Sequence, residues 1–201
     1  MLEAVDLACE RGGRSLFRGL SFALRDGELL RIAGPNGSGK TSLLRIVCGL
    51  LSPTAGTVLW DGAEIRRLRE EYAKQLVYIG HAAAVKDDLT AAENLRIACT
   101  LAGHRVSPRQ IQQALDSFEL ADLPVKRLSQ GQRRRAVLAR LVVSESMPLW
   151  LLDEPYAALD AAAGRLVEEL IDGHAARGGA VAFTTHQDTR VRASQVIDLD
   201  A

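Results

Sequence analysis

One short stretch constrains the fold of this chain more than any other: GPNGSGKT, at residues 34–41. It matches the pattern G-x-x-x-x-G-K-[ST] at every fixed position. An apolar run, ELLRIA, precedes it, and apolar residues recur behind it at helical spacing, so we expect a strand, this loop and a helix in succession. The helically spaced residues are Leu43, Leu44, Val47, Leu50 and Leu51. Such a loop directs backbone N–H groups and the positive end of the helix dipole at phosphate. The stretch therefore predicts a phosphate-binding loop in an α/β fold.

Two side chains of this loop have roles that the pattern predicts. We expect Lys40 to reach the β- and γ-phosphates of a nucleotide and the Thr41 hydroxyl to bind Mg²⁺. The residues predicted to contact the nucleotide here are Gly34, Pro35, Asn36, Gly37, Ser38, Gly39, Lys40, Thr41 and Ser42. A glycine-rich turn that contains Lys-Thr by chance is the alternative, and the flanking strand and helix disfavour it. No G-x-G-x-x-G stands at this turn, so the pattern does not support a dinucleotide site.

The other apolar patterns predict a β-rich N-terminal part, a helical block and a parallel sheet. LSFAL alternates apolar and small residues as a half-buried strand does, and the Asp61-Gly62 pair is a hairpin signal. Residues 90–143 are mostly helical in pattern. Three later runs lack alternation, which predicts strands buried on both faces of a parallel sheet. These runs are LWLL at 149–152, AVAFTT at 180–185 and VIDL at 196–199.

An acidic pair follows the first of these strands. Asp153 and Glu154 end LWLLDEP, at the carboxyl end of the strand, where open parallel sheets bind their ligands. We expect Asp153 to hold Mg²⁺ opposite Thr41, and Glu154 to accept a proton from water that attacks the γ-phosphorus. His186 ends another strand at the same edge of the sheet and is predicted to contact the γ-phosphate. A strand-end cap is the alternative for an isolated acidic pair, and the phosphate loop disfavours it.

The stretch RLSQGQRRRAVLAR, residues 127–140, predicts a second anion site. Ser129 and Gln132 have capping-box spacing, so a helix should begin near Gly131. A serine-capped, glycine-containing helix start can bind phosphate. Since the chain already has a phosphate loop, we expect this second site to serve the nucleotide of another copy. The three arginines are predicted to lie on the exposed face of the helix and to pair with carboxylates.

Composition excludes several classes of protein. Lys and Arg number 25 and Asp and Glu number 25 among 201 residues, which does not indicate a nucleic-acid-binding protein. Three dispersed cysteines outside any C-x-x-C pattern indicate a reducing compartment and predict neither disulfides nor a zinc site. The N-terminus lacks the pattern of a signal peptide, and no apolar run reaches the ~18 residues that a membrane span needs.

The motifs GPNGSGKT, LSQGQ, LWLLDEP, ALD and TTH, in this order, resemble those of ABC-type ATPases across essentially the whole chain. The resemblance implies a single α/β P-loop NTPase domain over residues 1–201. It would comprise a parallel core sheet, an N-terminal antiparallel β subdomain and an inserted helical subdomain at about 88–143. It further implies ATP, Mg²⁺ and a homodimer. Ser129, Gly131 and Gln132 would close on ATP bound by the partner copy, and Asp160 would couple the two sites.

Three positions depart from the family pattern. Gln130 stands where most relatives have glycine, which makes the loop less permissive. In the region where the family has an aromatic residue that stacks on adenine, this sequence reads CERGGR. Arg11 is the candidate to stack on adenine in its place. His81 occupies the position of the Q-loop glutamine. Imidazole is a poor ligand for Mg²⁺, so we expect His81 to hydrogen-bond the attacking water or a metal-bound water.

The segments around YIGH and TTHQ closely resemble the ATP-binding subunits of the cytochrome c maturation system. This resemblance implies a haem-exporting motor at the cytoplasmic face of the inner membrane, paired with an integral-membrane ABC permease subunit. The motor of another exporter, for lipid, drug or another small substrate, is the main alternative. A DNA-maintenance ATPase would need a coiled-coil insertion, and a translation factor would need a second cassette. This sequence contains neither. The intact Glu154 and His186 disfavour a non-catalytic clamp.

Overall fold

The computed structural model of the protein describes residues 1–200, which form two sheets and the helices around them. The strands are β1 (Leu2–Arg11), β2 (Arg14–Leu24), β3 (Leu29–Ala33), β4 (Ala55–Trp60), β5 (Ala63–Glu64), β6 (Leu76–Ile79), β7 (Leu149–Asp153), β8 (Ala180–Thr184) and β9 (Gln195–Asp198). The α-helices are α1 (Lys40–Val47), α2 (Ile65–Leu68), α3 (Glu70–Ala73), α4 (Ala91–Leu101), α5 (Pro108–Ser117), α6 (Gln130–Val142) and α7 (Ala161–Ala176). A 3₁₀ turn covers Val125–Arg127.

The larger sheet is parallel, with strand order β6-β7-β8-β3-β9. Every residue of β7 and β8 is buried, as their uninterrupted apolar runs predict. The prediction for VIDL is wrong, because β9 lies at the edge of the sheet and alternates between covered and open positions. Val196 on its open face is 62% exposed.

The smaller sheet is antiparallel, with order β2-β1-β4-β5, and it confirms the β-rich N-terminal part. Asp61 and Gly62 join β4 to β5 with φ of 49° and 79°. Two positive φ values in a two-residue connection favour a type I′ hairpin, the turn that this residue pair predicts. The Asp61-Gly62 hairpin is thereby confirmed.

A block of helices lies between β6 and β7, which confirms the helical pattern of residues 90–143. Thr90, Ser107 and Ser129 each start a helix with a complete capping box. A division into subdomains at about 88–143 stays a prediction. None of the helices within residues 1–200 has both the length and the apolar content to cross a membrane.

The helix after the phosphate loop is shorter than its apolar pattern predicts. α1 ends at Val47, and the chain leaves the helix through Gly49, whose φ is 78°. Leu50 lies beyond this point and is 69% exposed. The glycine explains the difference, because a left-handed residue ends a helix whatever apolar residue follows.

Candidate nucleotide site

The ends of four parallel strands converge on one open cavity of about 710 Å³. The loop after β3, the segment after β6, the acidic end of β7 and the segment after β8 all contribute to it. Its lining residues are Arg11, Leu16, Asn36, Gly37, Gly39, Lys40, Thr41, Ser42, His81, Asp153, Glu154, Ala157 and His186. One cavity thus brings together residues that are far apart in the sequence and that the sequence predicts to bind or hydrolyse a nucleotide.

The phosphate loop has the conformation that its glycines permit. Gly39 precedes α1 with φ of 108° and provides no capping side chain, so ligand atoms can meet the N–H groups of the first turn. A Cβ at Gly39 would lie 3.1 Å from the Cβ of Leu16 and 3.2 Å from Cδ1 of Phe17, on β2. Glycine is therefore required here for its φ and for the close approach of β2.

Lys40 is the buried cation of the loop, at 8% exposure. Its Nζ donates hydrogen bonds to the carbonyl oxygens of Gly34, at 2.7 Å, and Pro35, at 2.9 Å. Both bonds hold the ammonium group inside the curve of the loop. The loop therefore combines a fixed positive charge with the N-terminus of α1, as anion binding requires.

Asp153 lies at the floor of the cavity and is 1% exposed. Its Oδ2 accepts a hydrogen bond from Thr41 Oγ1 at 2.8 Å, and its Oδ1 accepts one from Thr184 Oγ1 at 2.9 Å. A hydroxyl and a carboxylate provide the hard oxygen donors that Mg²⁺ prefers. The pair Thr41 and Asp153 therefore fits a Mg²⁺ site.

Glu154 follows Asp153 with φ of 51°, a conformation that L-residues rarely adopt. Its side chain is 15% exposed. The backbone N–H of His186 donates to Glu154 Oε2 at 3.2 Å, and His186 Nε2 lies 3.5 Å from Oε1. The geometry holds a carboxylate beside an imidazole at the edge of the phosphate loop.

The predicted signature residues lie outside this cavity. Ser129 caps α6, because its Oγ accepts a hydrogen bond from the backbone N–H of Gln132, whose Oε1 accepts one from the N–H of Ser129. Gly131 approaches the carbonyl of Ala158 so closely that a Cβ would lie 2.9 Å from that oxygen. Asp160 caps α7 through the N–H of Ala163. Their contact with nucleotide in a second copy stays a prediction.

The prediction for the three arginines is correct for Arg133 and wrong for Arg134. Arg135 is partly exposed, as predicted, but it donates to the carbonyl of Phe118 at 3.2 Å rather than to a carboxylate. Arg133 is partly exposed and pairs with Asp87 at 3.1 Å. Arg134 is only 5% exposed and donates to backbone carbonyls beside the cavity. The missed signal is its spacing of four residues from the buried Leu138, which places Arg134 on the inner face of α6.

Thr184 is a second residue that the motifs did not reveal. Its buried hydroxyl donates to Asp153 and accepts from the backbone N–H of Glu154 at 2.9 Å. A threonine inside an apolar strand has no distinguishing sequence signal. Its importance follows only from the pairing of β7 with β8, which sets Asp153 beside Thr184.

Comparison with known proteins identifies the family of the chain. The ABC transporter family profile matches residues 17–157. The cytochrome c biogenesis ATP-binding export protein CcmA of Nitrosospira multiformis is 50% identical over 198 residues, which cover 97% of this chain and 96% of the relative. The protein of that name from Pseudomonas aeruginosa is 47% identical over 204 residues, covering 100% of each.

Solved structures with the same fold are also ABC proteins. A dimeric bacterial ABC transporter cassette superposes with a TM-score of 0.84 at 25% identity, covering 98% of this chain and 94% of that one. An ABC transporter ATP-binding protein from Pyrococcus furiosus superposes with a TM-score of 0.84 at 24% identity, covering 99% and 97%, and supports the fold alone. The chain belongs to the ABC transporter family of ATPases, among the cytochrome c biogenesis ATP-binding export proteins.

Proposed function

We propose that this chain is the ATP-hydrolysing motor subunit of an inner-membrane complex that exports or delivers haem for the biogenesis of c-type cytochromes. The observation that carries the proposal is the full-length identity of 47–50% to the two cytochrome c biogenesis export proteins. The assignment of haem as the exported molecule depends on this similarity alone. The motor of another exporter, for lipid, drug or another small substrate, is the alternative.

In the proposed reaction each side chain of the cavity has one role. Lys40 and the N–H groups at the start of α1 bind the phosphates of ATP, and Arg11 stacks on adenine. Thr41 and Asp153 hold Mg²⁺, which when bound neutralises charge on the transferred phosphoryl group. Glu154 accepts the proton of the attacking water.

Two histidines complete the proposed catalytic set. His186 lies beside Glu154 and is suited to contact the γ-phosphate, where it also keeps the carboxylate directed into the cavity. His81 belongs to the segment after β6 and lines the same cavity. Its imidazole is suited to hydrogen-bond the attacking water or a water of the Mg²⁺ shell.

The second half of each nucleotide site comes from another copy of the chain in this proposal. Ser129, Gly131 and Gln132 lie at the start of α6, away from the cavity of their own chain. Two copies arranged head to tail place each α6 start against ATP held by the other phosphate loop. Asp160, at the start of α7, then links the two sites across the dimer.

The partner in the membrane is an ABC permease subunit, bound on its cytoplasmic side. A narrow cavity of about 70 Å³ lies between the segment that follows β6 and helices α4 and α6, and it adjoins His81 in the sequence. Its lining includes Ala82, Val85, Leu95 and Val137. An apolar groove next to a site residue is suited to transmit closure of the ATPase dimer to the permease.

The test is haem staining of c-type cytochromes in cells whose only copy of the gene encodes Lys40→Ala. Loss of the buried ammonium in the loop removes ATP binding, so covalent cytochrome c should disappear while b-type cytochromes remain. Lys74→Ala changes an exposed lysine outside the cavity and serves as the matched control. Normal cytochrome c in Lys40→Ala cells would discard the haem role and make another exporter the leading function.

A further inference from the structure

Arg134, on helix α6, donates hydrogen bonds to three backbone carbonyls. Its Nη1 donates to the carbonyl of Gly80 at 2.8 Å. Its Nη2 donates to the carbonyls of Asp153, at 2.9 Å, and Glu154, at 2.6 Å. One guanidinium group therefore joins helix α6 to the residue before His81 and to both residues of the acidic pair.

Thr184 holds the same peptide from the other side. Its Oγ1 accepts from the N–H of Glu154 and donates to the carboxylate of Asp153. Together Arg134 and Thr184 therefore satisfy the amide and carbonyl groups on either side of Glu154. A positive φ at a non-glycine residue costs about 1–3 kcal/mol and persists only where the surroundings enforce it. Arg134 and Thr184 contribute to this enforcement, together with the backbone N–H of Ala157, which donates to the carbonyl of Glu154 at 3.2 Å.

A charged side chain buried at this place carries a desolvation cost that its contacts must offset. Burial lowers the pKa of Arg134, and the neighbouring carboxylates of Asp153 and Glu154 oppose that shift. Replacing a buried charged group by an apolar one of similar size is often neutral or stabilising. The guanidinium group is the side chain that can reach three carbonyls in a fixed fork, so its geometry explains its presence.

We propose that Arg134 is a positioning residue for ATP hydrolysis, which sets the backbone of Glu154 and of the His81 segment and ties both to helix α6. Because Ser129 begins the same helix, displacement of α6 on meeting nucleotide in a second copy would be passed to Glu154 through this guanidinium. The proposal depends on ATP hydrolysis at this site and is independent of what the complex exports.

The test compares Arg134→Lys and Arg134→Gln with Arg133→Lys in the full-length chain, by phosphate release at varied Mg²⁺·ATP. A lysine ammonium cannot span the carbonyls of Gly80 and Glu154 together. Misplacing a catalytic group by about 1 Å can cost 10²-fold in rate, so we expect kcat to fall about 10- to 100-fold. KM for ATP should stay within about threefold, because the phosphate loop is unchanged.

The control and the second variant separate positioning from folding. Arg133→Lys alters a partly exposed ion pair on the same helix and should leave kcat unchanged. Arg134→Gln leaves no unpaired buried charge, and it should fold and show the same loss of kcat.

Three results would overturn the proposal: parental kcat in Arg134→Lys, a rise of KM matching the loss of kcat, or failure of both variants to fold. Normal cytochrome c in the Lys40→Ala cells would refute the export proposal alone.

Discussion

Two buried basic side chains near the sheet are accommodated in opposite ways. Arg134 keeps its charge because backbone carbonyls surround the guanidinium group. His174, on α7, is 1% exposed and stacks flat on Trp150, with ring centroids 3.8 Å apart. Neither ring nitrogen of His174 has a hydrogen-bond partner among residues 1–200. The first arrangement stabilises a charge, and the second favours a neutral ring.

The buried ring of His174 predicts a loss of stability in mild acid. Burial, with a smaller contribution from Arg177, lowers the pKa of His174 from 6.5 to about 4. Between these values the unfolded chain binds the proton more readily, so the free energy of unfolding falls as pH falls from 6.5 to 4. At pH 5 the loss relative to pH 7 should be roughly 2 kcal/mol from this residue.

Urea unfolding at the two pH values measures this loss. His174→Met removes the titrating ring and should reduce the pH dependence by that amount. An equal pH dependence in His174→Met and the parent would show that His174 is not the source.

At the scale of single residues, the sequence predicts the role of a side chain when that side chain belongs to a motif whose spacing is fixed by chemistry. One cavity contains Lys40, Thr41, Asp153 and Glu154, because each belongs to a motif that lies at the end of a strand. Arg134 belongs to no such motif and is of the same residue type as its partly exposed neighbours Arg133 and Arg135. Only its position on the inner face of α6 distinguishes it, and that face is defined by packing rather than by residue type.

At the scale of elements, local signals predicted starts and turns better than burial or length. The capping box at Ser129 and the Asp61-Gly62 hairpin depend on contacts within a few residues, so the sequence contains them in full. The two wrong predictions about secondary-structure elements, for VIDL and for Leu50, depend on more distant surroundings. The edge position of β9 follows from the order of strands, which apolar content does not encode.

The pairing of β1 with β4 predicts that substitution of one glycine strongly lowers stability. Gly56, in β4, has φ of 81° and faces a register shift in β1 between Val5 and Ala8. A Cβ at Gly56 would overlap the carbonyl oxygens of Val5 and Asp6, which belong to the backbone and cannot rotate away. Gly56→Ala should therefore lower the free energy of unfolding by about 2–4 kcal/mol, as measured in urea.

Gly62→Ala is the matched control for that substitution. Gly62 has nearly the same φ, 79°, but nothing lies within 4 Å of the Cβ position. It should cost about 1 kcal/mol, from backbone strain alone. Equal losses for the two variants would mean that β1 yields to the added methyl group.

At the scale of the whole molecule, the phosphate loop and the predicted anion site at the start of α6 do not share one cavity. The phosphate loop opens into the cavity beside Glu154, whereas Ser129 caps α6 outside it. In the proposed dimer, one copy would therefore contribute halves of two different sites. Two copies related by a twofold axis would complete both halves at once, which is the closed symmetry that most homo-oligomers adopt.

This arrangement predicts that ATP drives dimerisation once hydrolysis is blocked. Glu154→Gln keeps the size of the side chain and an acceptor for the N–H of His186, but it removes the proton acceptor, which contributes 10²- to 10⁴-fold to rate in general. With Mg²⁺·ATP the variant should sediment as a dimer, and without nucleotide as a monomer.

A second substitution locates the interface of this dimer. Adding Ser129→Arg places a bulky cation at the start of α6 and should keep the Glu154→Gln protein monomeric while it still binds ATP at its own loop. Adding Gln113→Arg, at an exposed position of α5, should leave the dimer intact. A dimer that survives Ser129→Arg would place the interface elsewhere. Loss of the dimer in Ser129→Arg alone would mean that each ATP is bound between the phosphate loop of one copy and α6 of the other.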